Sequence, residues 1–144
     1  MSIFDRLRAG LETTSAEETH LLAREFAAAL PSDRVLALSG DLGAGKTTFV
    51  RGLAAEWKIP GPITSPTFTL VNIHQGDRTL VHVDAYRLET PSAIDALMIE
   101  DFLRSPWCLA VEWPENTGDW IPPSAFNLQL ALLPSGHHTL RLME

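Results

Sequence analysis

The sequence predicts an α/β fold, a mixed β-sheet flanked by helices with a C-terminal antiparallel hairpin, and three observations carry that prediction. Short apolar runs of strand length at 35–38, 79–83 and 107–111 are separated by stretches with helical spacing. A glycine-rich turn, Gly40-Asp41-Leu42-Gly43-Ala44-Gly45, joins the first run to a helical pattern, which is the strand-loop-helix opening of an α/β unit. In the last section Phe126, Leu128, Leu130 and Leu132 alternate with polar or small residues, as a half-buried strand does. One domain over 1–144 is expected, since a chain of this length buries about two-thirds of its unfolded surface around one core.

Ser15, Ala16, Glu17 and Glu18 have the form of a capping box, and Leu22, Phe26, Ala29 and Leu30 follow at helical spacing until Pro31, so a first helix is expected there. Ser32-Asp33-Arg34 reads as a turn into the buried strand 35–38. The pattern from Lys46 to about Trp57 reads as helix. Pro60-Gly61-Pro62 breaks the chain, and the polar segment Thr64-Ser65-Pro66-Thr67 leads to a second strand over 68–73. A turn at 75–78 returns the chain to a strand over 79–84, either as a hairpin partner or as a central strand of the sheet. Thr90-Pro91 opens a helix with proline at its first position and Ile94, Leu97, Met98 and Phe102 along one face. After Ser105-Pro106 the continuous apolar run 107–111 reads as a strand buried on both faces. Residues 113–119 form a loop, Pro122-Pro123 ends it, and Leu140 and Leu142 complete the hairpin beyond the turn Pro134-Ser135-Gly136.

Composition narrows the function. The net charge is −7 and the eleven basic residues are scattered, whereas a chain that holds nucleic acid by itself needs a basic stripe to neutralise phosphates. Contact with RNA or DNA is expected to run through a partner protein or a small local patch. No apolar run approaches the ~20 residues of a membrane span, so no membrane association is expected. The first eight residues lack the apolar core and cleavage pattern of a secretory signal, which makes the cytoplasm the expected compartment. The single cysteine, Cys108, forms no internal disulfide and reads as core.

Residues 40–47 fit G-x-x-x-x-G-K-[ST], the Walker A pattern of a P-loop, and the fold expectation sharpens to P-loop NTPase-like. The glycines let the backbone curl so that the N–H groups of Asp41, Leu42, Gly43, Ala44 and Gly45 point inward around a phosphate. Lys46 can reach the β- and γ-phosphate oxygens, Thr47 offers a hydroxyl to Mg2+, and the following helix directs its positive end at the same anion. The chain has only two lysines, Lys46 and Lys58, and one of them falls on the position this chemistry requires.

Asp84 and Glu112 each stand where an apolar run ends. Ligands of doubly wound sheets bind outside the carboxyl ends of the strands, so both acids face the nucleotide if their strands run parallel to the first. One would join Thr47 on Mg2+ and the other would orient water; the bland reading is two solvated acids closing their strands. Thr64, Ser65 and Thr67 read as a switch segment that closes over a γ-phosphate or as an ordinary turn into a strand. His82 and Asp84 give an H-x-D pair, yet a third ligand with zinc spacing is missing. Arg87 is a phosphate or partner contact or an exposed arginine, and Trp113 covers the site or belongs to the core.

GDLGAGKTTFVRGL, SPTFTLVN, HVDAYRL and VEWPE, in that order between Gly40 and Glu115, make the chain resemble the TsaE (YjeE) family of bacterial P-loop ATPases. The resemblance implies an ATPase needed for N6-threonylcarbamoyl modification of adenosine 37 in tRNAs that read ANN codons. It implies partners of the TsaB and TsaD type, with TsaC supplying threonylcarbamoyl-AMP and tRNA met only through the complex. Carried over by motif, Gly43, Gly45, Lys46 and Thr48 would hold phosphates of ATP or ADP, Thr47 and Glu112 would hold Mg2+, Asp84 would assist hydrolysis and Trp113 would lie near the nucleotide. One departure is visible: where the family often has glycine before Glu100-Asp101-Phe102, this chain has Met98 or Ile99.

Two other classes use the same loop. A small-molecule or nucleoside kinase needs an acceptor pocket and an arginine-bearing lid, for which only Arg87 and Arg104 are near candidates. A nucleotide-dependent regulatory module needs only different contacts in its two states, and turnover that rises with a partner separates it from an ATPase.

Overall fold

The structure is a computed structural model and describes residues 1–66 and 70–143. The Ser2 hydroxyl accepts the Asp5 N–H and opens α1 (Ile3–Ala9), which ends at Gly10 and leads into β1 (Leu11–Thr13). Neither element was expected, because seven and three residues are too few to display a period. Helix α2 (Ala16–Ala29) starts where the capping box puts it, with the Ser15 hydroxyl accepting the Glu18 N–H at 3.1 Å. The Glu18 carboxylate bypasses the Ser15 amide and takes the N–H and hydroxyl of Thr14, whose hydrogen bonds hold it below the usual carboxylate range.

The further strands and α-helix among the described residues are β2 (Arg34–Ser39), α3 (Lys46–Glu56), β3 (Val71–Gln75), β4 (Thr79–Asp84), β5 (Trp107–Glu112), β6 (Phe126–Leu132) and β7 (His138–Met143). The expected strand 68–73 is described only from Leu70 onward; Thr67, Phe68 and Thr69 lie outside the described residues. Among the described residues these seven strands form one sheet in the order β1-β7-β6-β2-β5-β4-β3. β2 lies between β5 and β6 and runs parallel to both, β4 runs parallel to β5, and β3, β7 and β1 pair antiparallel with their neighbours. Both readings of 79–84 therefore hold together: β4 is the hairpin partner of β3 and an inner strand.

Alternation divides the strands between two cores. Leu36, Leu38, Leu80, Cys108, Ala110, Leu128 and Leu130 point to the face covered by α1, α2 and α3, where Phe26 and Phe49 are fully buried. Val35, Val81, Val83, Leu109 and Val111 point to the other face and meet Ile94 and Ile99. The last two belong to a stretch that departs from expectation. Residues 91–102 are two 3-10 segments, Pro91–Leu97 and Ile99–Phe102, rather than one amphipathic α-helix. Pro91 does open the first, but Met98 sits in left-handed backbone (φ 50°, ψ 47°) and breaks the run. Met98 and Phe102 are consequently exposed, and Ile94 and Ile99 supply the buried contacts.

Candidate functional site

The parallel arrangement of β2, β4 and β5 brings three strand ends to one side, with Leu38 in register with Glu112 and Glu112 in register with Asp84. The glycine-rich turn leaves β2 at that side. Gly40 (φ 148°) lies so close to β6 that an added Cβ would stand 2.3 Å from the Leu130 carbonyl oxygen, so a side chain there would push the turn off the sheet. Gly45 (φ 100°) caps α3 in left-handed backbone and supplies no side-chain hydrogen bond, which leaves the first N–H groups of an 11-residue helix open at its positive end.

Lys46 is the first residue of α3 and is only 5% exposed. Its Nζ donates to the Gly40 carbonyl and stands 3.9 Å from the centre of the Trp113 ring. Burial holds the ammonium below its ordinary pKa of 10.5, against the opposing fields of Glu112, Asp84, Glu115 and Asp41. Trp113 itself occupies left-handed backbone (φ 58°, ψ 51°), a conformation costing a bulky residue about 1–3 kcal/mol. Its N–H is anchored on the Leu38 carbonyl at 3.3 Å, and its ring meets that of Tyr86 with centroids 4.9 Å apart and the planes tilted by 46°.

The two acids are buried at the strand ends. Asp84 is 5% exposed; it accepts the Tyr86 N–H at 3.0 Å through Oδ1 and the Ser65 hydroxyl at 3.3 Å through Oδ2. Glu112 is 4% exposed, and its Oε2 lies 2.5 Å from Nε2 of His82, one strand away. The loops behind them are tied together, since Ala85 N–H donates to the Glu112 carbonyl at 3.0 Å and the Asn116 amide donates to the Ala85 carbonyl at 3.0 Å.

These groups line a cleft of about 460 Å³ that gathers Leu42, Gly43, Ala44, Gly45, Lys46, Thr47, Thr48, Asp84, Glu112 and Trp113 from the sequence-predicted set. Asp41 falls outside it, on a neighbouring hollow shared with Gly40, Leu42 and Trp113. Ser65 and Arg87 line the cleft, Thr64 lines a separate hollow beside α3, and Thr67 lies outside the described residues. Sequence reasoning missed Tyr86, Thr19 and His138, which also line the cleft. His138 reaches the loop from β7, with Nε2 3.2 Å from the Gly43 carbonyl; only the pairing of the C-terminal hairpin beside β2 brings it there, and no local pattern signals that.

The donor set suits a hard cation. Thr47, Glu112 and Asp84 present oxygens to one cleft, and among the described residues no group of three or more His, Cys, Asp or Glu is placed to hold a metal by itself. An ion here would need phosphate and water oxygens as well, which is the habit of Mg2+ and not that of structural zinc.

Fold and site define the class: an α/β domain whose mixed sheet carries a Walker A sequence at the turn from its central strand into a helix, facing two strand-end carboxylates. A family model described as Threonylcarbamoyl adenosine biosynthesis protein TsaE matches residues 13–138, and the chain belongs to the TsaE family. It is 38% identical over 135 residues to the tRNA threonylcarbamoyladenosine biosynthesis protein TsaE of Aquifex aeolicus, covering 89% of this chain and 90% of that one. The Treponema pallidum protein of the same name is 32% identical over 126 residues, covering 88% and 93%. Among solved structures, YdiB of Bacillus subtilis superposes with a TM-score of 0.77 at 27% identity, covering 92% of this chain and 82% of that one. Among the described residues no helix is long and apolar enough to cross a membrane.

Proposed function

We propose that this chain binds and hydrolyses ATP with Mg2+ in support of tRNA threonylcarbamoyladenosine synthesis in the cytoplasm, working with TsaB- and TsaD-type proteins and meeting tRNA only through them. The observation that carries the reading is the Lys46 ammonium. It is desolvated beside the open N-terminus of α3, with Glu112 and Asp84 lining the same cleft. A buried cation held by one carbonyl and one ring face gains when phosphate oxygens replace them, because its partners then carry full opposite charge where burial weakens screening.

In this reading the loop N–H groups and Lys46 hold the β- and γ-phosphates, and Thr48 supports them from the first turn of α3. Thr47 and Glu112 would hold Mg2+, which supplies charge neutralisation on the phosphate oxygens when bound. Asp84, its carboxylate oriented by the Tyr86 N–H and the Ser65 hydroxyl, orients the water that attacks the γ-phosphorus as the bond to the ADP oxygen breaks. Trp113 and Tyr86 form one wall of the site, the Trp113 ring lying against both the Lys46 ammonium and the Tyr86 ring.

The test is nucleoside mass spectrometry of tRNA from cells depleted of this protein and rescued with the normal chain or with Glu112→Ala. Loss of threonylcarbamoyladenosine, restored only by the normal chain, is the expected result. Unchanged modification in every strain would overturn the reading.

A further inference from the structure

We infer that His82 is a positioning residue for Glu112, committing one carboxylate oxygen to the imidazole and leaving the other for the cleft. The inference rests on the reading of Glu112 as a Mg2+ ligand and deepens it. His82 is 0% exposed in the middle of β4, between Val81 and Val83, on the face that carries Leu80 and Asp84. Its register partner on β5 is Ala110, whose single methyl leaves the ring room to lean one step further along the strand to Glu112. There Nε2 and Oε2 are 2.5 Å apart, within hydrogen-bond distance, with the proton assigned to Nε2, which donates to the carboxylate.

The remaining nitrogen argues that this bond is the reason for the residue. Nδ1 is buried with no hydrogen-bond partner among the described residues. A buried imidazole with one nitrogen unsatisfied costs stability that a leucine or methionine would not, so packing alone does not account for it. Its second effect is on Glu112, whose side chain would otherwise choose among rotamers at the strand end. An ion that demands near-ideal octahedral geometry gains from a carboxylate already fixed, and partners behind metal ligands commonly change metal affinity or activity about 10- to 100-fold.

The experiment titrates Mn2+ into the protein with mant-ADP, following bound Mn2+ by electron paramagnetic resonance and nucleotide affinity in EDTA by fluorescence. It uses the normal chain, His82→Met, His82→Gln, Glu112→Ala and the His82→Met/Glu112→Ala pair. Methionine fills the space without a donor, whereas glutamine keeps an N–H near the position of Nε2. The expected result is Mn2+ affinity about 10- to 100-fold weaker in His82→Met, largely recovered in His82→Gln, with nucleotide affinity in EDTA unchanged. In the Glu112→Ala background His82→Met should add no further loss. Unchanged Mn2+ affinity in His82→Met, or an equal loss of nucleotide affinity in EDTA, would overturn the role of His82 while leaving Glu112 as ligand. Normal Mn2+ affinity in Glu112→Ala would overturn both. Should His82→Met fail to fold, the imidazole 15N shifts of the normal chain decide: a proton on Nε2 supports the inference and a proton on Nδ1 alone refutes it.

Discussion

The ammonium of Lys46 lies 3.9 Å from the centre of the Trp113 ring, so the lysine that follows the glycine-rich turn is packed against the residue that follows Glu112. Two loops from different strands thereby close on each other, and the lysine is kept nearly dry. The net effect on Lys46 is a pKa below 10.5, with burial outweighing the four acids around it.

That displacement has a sign. A lysine whose folded pKa is lowered destabilises the fold at pH values below that folded pKa, and the penalty lifts as pH climbs from there toward 10.5. Lys46→Met should therefore be more stable than the normal chain near pH 7.5, and its advantage should shrink as pH approaches 10.5. Urea unfolding at the two ends of that window measures this. The same variant should lose about 10- to 100-fold in ADP affinity, the worth of one hydrogen bond to a charged group. A variant less stable at pH 7.5 would mean that the lysine supports the fold more than it strains it.

Glu112→Ala should separate stability, affinity and turnover. Removing the carboxylate leaves His82 buried without its acceptor, at a cost of about 1–3 kcal/mol in urea unfolding. Nucleotide affinity measured in EDTA should change little, because the loop and Lys46 remain. Mg2+-dependent ATP turnover should fall most, and a normal rate would remove Glu112 from the ion.

Gly52→Ala sets two effects against each other on α3. Helix propensity favours alanine by about 1 kcal/mol. The added Cβ, however, would stand 2.4 Å from the Ala23 Cβ and 2.7 Å from the His20 carbonyl oxygen, where α2 and α3 meet. Neither atom belongs to a long flexible side chain, so the helices must separate, and overpacking of this kind costs about 1–3 kcal/mol. We expect a net loss of stability, read as a lower urea midpoint with an unchanged slope. A gain would show that the α2–α3 contact yields cheaply.

The strands over 34–39, 79–84 and 107–112 were legible because buried parallel strands are short apolar runs, and the turn into α3 because its glycines punctuate the chain before a helical pattern. Placing Asp84 and Glu112 together followed from their positions at run ends once the strands were parallel. His82 was weighed only as a metal ligand, because H-x-D gives spacing along one strand and says nothing of the carboxylate across the sheet. His138 was invisible for the same reason: its partner loop is 95 positions away. The 91–102 stretch misled because apolar residues at helical spacing suit an α-helix, and a single left-handed residue moved two of the four to the surface.

That residue, Met98, gives the last test. Left-handed backbone costs a residue with a Cβ about 1–2 kcal/mol, and glycine occupies it freely. Against this, glycine makes the unfolded chain more flexible and costs roughly 0.5–1 kcal/mol. Little packing is at stake, because Met98 is 60% exposed. Its backbone duties survive the change: the N–H still donates to the Asp95 carbonyl at 3.2 Å, and the carbonyl still accepts the Asp101 N–H at 3.1 Å. Relief should therefore outweigh entropy, and Met98→Gly should stabilise the chain by up to about 1 kcal/mol in urea unfolding. Met98→Ala, which keeps the Cβ and loses only the exposed tip, should not. If alanine stabilised as much as glycine, the benefit would come from removing an exposed apolar side chain, and the backbone at 98 would carry no strain.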